Sequence, residues 1–118
     1  MISGAAYFEP NTGGMSAQTT VQQYEAAQMT ALTGVFEQDL QAFMSMTKSW
    51  EQQLGQTIST MMYEAGEGQA AVGFPPWYNA YVGTQTDPGQ VALIATFLDE
   101  VQGAGVTGVN YSRAAKFP

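Results

Sequence analysis

Carboxylates are the side chains of this sequence whose spacing comes nearest to supporting catalysis. The closest pairs are Glu37 with Asp39, Glu64 with Glu67, and Asp99 with Glu100. General acid–base work needs two groups whose surroundings push their proton affinities apart. Residues two apart on a helix point to different sides, so Glu37 and Asp39 do not meet. Asp99 and Glu100 sit where a polar rim ends an apolar helix, and these acids read as solvated faces. A serine nucleophile needs a base, and in a chain without histidine the familiar remaining option is a Ser–Lys pair. Ser45 lies three residues before Lys48 and Ser49 is adjacent to it, but neither has a glycine-rich elbow or an oxyanion signal. Gly66-x-Gly68 and Gly103-x-Gly105 lack the lysine and following helix of a phosphate loop, and serve as helix stops. Glu64 and Glu67 offer calcium two carboxylates where it takes about six to eight oxygens. The absence of cysteine and histidine removes thiolates, imidazoles and the usual zinc ligands. Asn110-Tyr111-Ser112 matches a glycosylation sequon, with no secretory leader to give it meaning. The expectation is therefore no catalytic residue, no metal, no cofactor and no small-molecule substrate: the chain is not read as an enzyme.

Recognition chemistry is better represented. Met44, Met46, Met61 and Met62 are flexible thioethers that fill cores or line adaptable grooves. Phe74, Trp77, Tyr78 and Tyr81 surround Pro75 and Pro76, and large aromatics with one polar end are common anchors of protein interfaces. With Tyr7, Phe8, Tyr111 and Phe117 from the terminal segments, they form the expected partner interface.

Composition points the same way. Of 118 residues, 45% are apolar, but charged residues make up only 11%, against roughly 25% in ordinary soluble domains. Gln, Ser and Thr fill the polar positions, and they are less costly to bury against a partner than Lys or Glu. The net charge is −7 with Lys48, Arg113 and Lys116 as the only basic side chains, so nucleic acid and anionic membrane are poor partners. The longest apolar stretch, residues 91–98, is far short of the roughly 20 residues a bilayer span requires. Residues 1–14 carry neither a basic n-region nor an apolar run. The expectation is cytosolic synthesis without a Sec-type leader, followed by incorporation into a virion or export by a non-Sec route.

These side chains need elements to position them. Residues 1–16 show no periodicity and read as an extended arm. A helix is expected over residues 17–65, capped by Ser16 or Thr20. Its stripe runs through Val21, Met29, Leu32, Phe36, Leu40, Phe43, Thr47, Trp50, Leu54, Ile58, Met61 and Ala65, with a mean step of about 3.7 residues, nearer a straight helix than a left-handed coiled coil. A second line, Tyr24, Ala31, Val35, Ala42 and Met46, widens that face, as in a helix touching more than one neighbour. Unbroken from Val21 to Ala65, it would reach roughly 67 Å, while a compact chain of this size has a radius of gyration of only about 13 to 14 Å. Either Gly34 or Gly55 breaks it, or other subunits cover it. Residues 66–86 read as an apolar linker. Residues 87–102 read as a second helix, with Thr86 and Asp87 as caps, Pro88 in its first turn and Gly103 as its stop. Residues 103–118 form a tail, either a short strand or loosely helical.

The fold class predicted is thus mainly α: one helical domain over residues 1–118, a long first helix, an aromatic linker, a shorter second helix and extended arms. The function predicted is a structural subunit of a multi-subunit assembly, such as a virion component or a secreted filament or rod, with protein partners that include copies of itself. The alternative is a soluble helical chaperone or adaptor holding a partner on a Met and aromatic surface.

Overall fold

The computed structural model describes residues 1–66 and 73–111. The chain is mainly helical, with the elements β1 (Ile2–Tyr7), α1 (Val21–Ala31), a π-helical turn (Leu32–Phe36), α2 (Glu37–Leu54), β2 (Thr60–Gly66), α3 (Tyr78–Thr84), α4 (Gly89–Gly103) and β3 (Gly108–Tyr111). No helix among the described residues is long and apolar enough to cross a membrane.

The first helix begins as its capping chemistry dictates. Thr20 Oγ1 accepts from the Gln23 N–H at 3.1 Å, and Gln23 Oε1 accepts from the Thr20 N–H at 2.9 Å, a reciprocal capping box. α1, the π turn and α2 run on as one rod of 11, 5 and 18 residues, about 51 Å at 1.5 Å per residue. That length accounts for the 54 Å long axis and the radius of gyration of 15.9 Å. The π turn has a sequence cause. Tyr24, Gln28, Leu32, Phe36 and Leu40 are all buried and all four residues apart. In a pure α-helix each step of four overshoots a full turn by about 40°, and the buried line would wind off the core. The wider π turn resets it. Gly34 lies inside that turn and does not break the rod.

The break comes at Gly55, and it is complete. With φ of 66°, Gly55 caps α2 in the left-handed conformation and its N–H returns to the Glu51 carbonyl at 2.8 Å. The helix expected over residues 17–65 therefore ends at Leu54, and Thr60–Gly66 is a strand instead. Strands buried in parallel sheets show continuous apolar runs rather than alternation, so Met61, Met62 and Ala65 fit a helical stripe equally well on paper. The expected arm of residues 1–16 contains β1. Within the expected linker of residues 66–86 lies α3, and residues 67–72 fall outside the described residues. The expected tail of residues 103–118 contains β3, and residues 112–118 also fall outside them.

The three strands form a wholly parallel sheet in the order β1-β2-β3, with Gly4 opposite Met62, Met62 opposite Val109, and Ala65 opposite Tyr111. The α1–α2 rod is the first crossover and α4 closes the second. At the amino end Thr60 and Thr107 clasp each other: the Thr60 N–H donates to Thr107 Oγ1 at 3.1 Å and the Thr107 N–H to the Thr60 carbonyl at 3.0 Å.

Two clusters hold the elements together. The larger joins Phe8, Leu32, Phe36 and Leu40 to Met62, Ala65, Leu93, Phe97 and Val101, with Phe43, Val109 and Tyr111 packed against it. Both crossover helices thus pack on one face of the sheet. Gly4 serves this packing, since a Cβ there would lie 3.4 Å from the Phe43 ring. The smaller cluster, Tyr24, Trp77, Ala80 and Tyr81, docks α3 on the upper part of the rod.

Candidate functional site: the open flanks of a parallel sheet

The fold brings Glu37 to Asp99 and Glu100 and takes Asp39 elsewhere, while Glu67 and the Glu64 side chain lie outside what the structure describes. Glu37 turns toward α4, where it lines a groove with Asp99 and Glu100, while Asp39 lines a different cleft beside Tyr7. Glu100 Oε2 is buried without a hydrogen-bond partner, and desolvation, then repulsion from Glu37, raises its pKa from its ordinary value. Among the described residues no group of acids converges to hold a metal ion. Ser45 and Lys48 are both exposed on α2. A further polar set, not singled out by spacing, ties α1 to α4: Gln90 Nε2 donates to Glu25 Oε2 and to Gln28 Oε1, each at 2.9 Å, with Gln28 and Gln90 buried. Glu25 is raised in pKa by desolvation and by Asp87, against the Gln90 amide that lowers it. The Gln90 amide nitrogen thus ties α4 to two residues of α1, while its Oε1 is buried without a hydrogen-bond partner.

The expected interface residues go to different places. Phe8 is buried between Phe36 and Phe97, with ring centroids at 6.2 and 5.8 Å. Trp77 and Tyr81 are buried against Tyr24 in the smaller cluster. Tyr111 is half-buried with its ring 5.2 Å from Phe97. Tyr7 and Tyr78 are half-buried, and Phe74 is exposed with its ring 4.9 Å from Tyr78. Phe117 lies outside the described residues. The aromatic linker thus covers the chain's own helices, apart from Phe74.

The apolar surface left over lies elsewhere. With Phe97 as the centre of the buried face of α4, a turn of about 100° per residue sends Glu100 and Gly103 to the side facing α2, and Val91, Ile94 and Leu98 to the side facing away. Val91 is 69% exposed and Leu98 43%. On the rod, Glu37, Gln41 and Met44 face α4, whereas Val35, Ala42 and Met46 face away. Val35 is 66% exposed and Met46 44%. The cleft that continues that side upward is mixed: Ala27, Ala31, Gly34 and Val35 share it with Glu9, Asn11, Thr30 and Gln38. Among the described residues, Val91 and Leu98 on one outer side of the helix layer and Val35 and Met46 on the other are exposed. Beneath them β1 and β3 are the outer strands of the described sheet. The sheet face opposite the helices carries Met61, Gly108 and Asn110, none of which belongs to either cluster.

The carboxyl ends of all three parallel strands come together. There Tyr7 stands opposite Gly66, Glu64 opposite Ala5 and Tyr111 opposite Ala65, with Glu9 just beyond β1. No family model, curated protein or solved structure matches this chain.

Proposed function

We propose that the chain is a structural component of a larger protein assembly and makes its contacts through the two outer flanks of its helix layer and the sheet edges below them. The observation that carries this reading is the pair of apolar flanks, Val91 with Leu98 and Val35 with Met46, on opposite sides of the same layer. Exposed apolar side chains on the outer sides of a helix layer offer surface that contact with other protein would bury. The low charge of the chain supports the same role, as does the absence of a basic face for nucleic acid. Sedimentation of the purified chain over a wide concentration range tests it. Association is the expected result, and a strict monomer with no affinity for hydrophobic dye refutes it.

A second reading draws on strand direction. Ligands of parallel α/β proteins gather at the carboxyl ends of the strands, where Tyr7, Glu9 and Tyr111 fall in this chain. An acid and two tyrosines without a nearby described cation suit a neutral polyhydroxyl ligand and repel a phosphate. Ligand-detected NMR with neutral oligosaccharides and with nucleotides discriminates, since binding of nucleotides alone would exclude it.

A further inference from the structure

We infer that the seat of α4 on the rod is a proton-operated latch: Glu25 with Asp87 at its start and Glu37 with Glu100 near its end hold it closed in acid, and ionisation of these pairs loosens it. At the upper end Asp87 Oδ2 accepts the Gly89 N–H at 2.9 Å, in the turn that opens α4. Glu25 reaches over the same glycine from α1: a Cβ on Gly89 would collide with Glu25 Oε1 and lie 2.7 Å from Asp87 Oδ2. The two carboxyl groups hydrogen-bond to each other, which requires a proton on one of them, because carboxylates only accept. The Gln90 amide donates to Glu25 Oε2 and to Gln28 Oε1, while its own Oε1 is buried with no hydrogen-bond partner. A protonated Glu25 brings this buried set a donor, and an ionised one brings none. At the lower end Glu37, Asp99 and Glu100 line one groove between α2 and α4. There Glu100 Oε2 is buried and unpartnered, a setting that suits the neutral acid better than the carboxylate.

Among the described side chains no basic group answers these acids. Glu25 is the sole charged residue of α1, the π turn and α3 have none, and α4 has none before Asp99. On α2 Asp39 turns to the cleft beside Tyr7, Glu51 accepts the Ile58 N–H, and Lys48 is exposed about three turns beyond Glu37. β1 and β3 carry no charged residue, and the Glu64 side chain on β2 lies outside what the structure describes. The other titratable side chains of α1 and α3 are Tyr24, Tyr78 and Tyr81, which meet in the smaller cluster; phenols ordinarily titrate near about pH 10. Desolvation raises the pKa of Glu25, with the Gln90 amide opposing and Asp87 adding to it, and desolvation and then Glu37 raise that of Glu100. The folded chain therefore holds both protons to higher pH than the unfolded chain does. The seam is strongest below about pH 4.5 and weakens as pH rises through the raised values. Glu25 and Glu100 are half-buried, so each can turn out to water once ionised, while Leu93, Phe97 and Val101 keep the middle of α4 in the core. The latch works within one chain, whatever that chain assembles with.

The test compares the amide protection of α4 with that of β2, each corrected for intrinsic exchange, by NMR of the full chain at about pH 5 and about pH 7.5. The relative protection of α4 is expected to fall at least about fivefold across that range in the parent and to stay level in E25Q/E100Q. E9Q/D39N removes two charges from the cleft beside Phe8 and should keep the parent's fall. Carboxyl-carbon signals of Glu25 and Glu100 should titrate above their values in the unfolded chain. A pH-independent α4, or a fall that survives in E25Q/E100Q, overturns the latch. So does a fall abolished equally by E9Q/D39N, which would make net charge alone responsible. Should E25Q/E100Q fail to fold by circular dichroism, the parent's carboxyl titration decides: both groups raised uphold the latch, and either at its ordinary value overturns it.

Discussion

Phe97 is where the two crossovers and the sheet meet, so its truncation measures whether they form one core. The side chain is fully buried, with ring centroids 5.4 Å from Phe36, 5.8 Å from Phe8 and 5.2 Å from Tyr111. Phe97→Ala removes a ring touching β1's end, the π turn and β3 at once. Cavity and transfer losses for such a change run to about 3–5 kcal/mol. A small domain has roughly 5–15 kcal/mol in all, so the loss is a large share of the total. With a urea m-value of about 2 kcal/mol/M, the midpoint moves down by about 1.5–2.5 M. Urea unfolding of a Trp50→Phe background followed by circular dichroism and by tryptophan fluorescence reads it, the remaining Trp77 reporting from the other cluster. Leu98→Ala, one residue on and 43% exposed, is the control, with an expected cost below about 1 kcal/mol. The core assignment fails if Phe97→Ala shifts the midpoint no more than Leu98→Ala does.

Three smaller perturbations probe the local logic. Thr20→Ala removes the acceptor of the capping box and should cost about 0.5–2 kcal/mol in denaturant titrations. Gly55→Ala forces a Cβ into a left-handed cap at φ 66° and should cost about 1 kcal/mol, with no clash to add to it. Burial raises Glu25 above its ordinary 4.5, so the folded chain holds that proton to higher pH than the unfolded chain does. Its contribution is unfavourable once ionised: stability falls as pH rises from about 4.5 through the raised value, and Glu25→Gln should flatten this part of a melting-temperature profile. A profile unchanged by that substitution would count against the desolvation of Glu25 between α1 and α4.

The helical half of the fold was legible because its signals are local. Thr20 with Gln23 marks one end, and Asp87, whose Oδ2 accepts the Gly89 N–H at 2.9 Å, marks the start of α4. The line of Tyr24, Ala31, Val35, Ala42 and Met46 also spoke for more than one neighbour, and its lower members form the bare flank. The sheet was hidden by its own burial. The middle of β1, residues 3–6, is a run of small residues with no alternation, and at Gly4 the Phe43 ring stands over the backbone. β2 continues the apolar spacing of α2 past Gly55, and nothing short of the left-handed turn there tells strand from helix. Register between segments some fifty residues apart has no local signature at all. The aromatic residues misled in a simpler way: Trp77 and Tyr81 look like anchors for a partner, but the upper rod needs its own cover.

The scarcity of charge and the bare flanks have one explanation. The face of α2 that points away from the sheet carries Gln38, Gln41, Ser45, Lys48, Ser49 and Gln52, all exposed and only one of them charged. A free chain would need stronger solvation there to offset Val35, Met46 and Leu98 beside it, since exposed apolar patches associate unless charge keeps molecules apart. Cover the flanks with neighbouring helices, and that neutral polar strip is what remains in water. It then has little apolar surface to offset, and amides and hydroxyls suffice. The rod thus has a core face, a side that carries the exposed Val35 and Met46, and a weakly polar outer face, and on the proposed assembly reading the second of these is the one a neighbour covers.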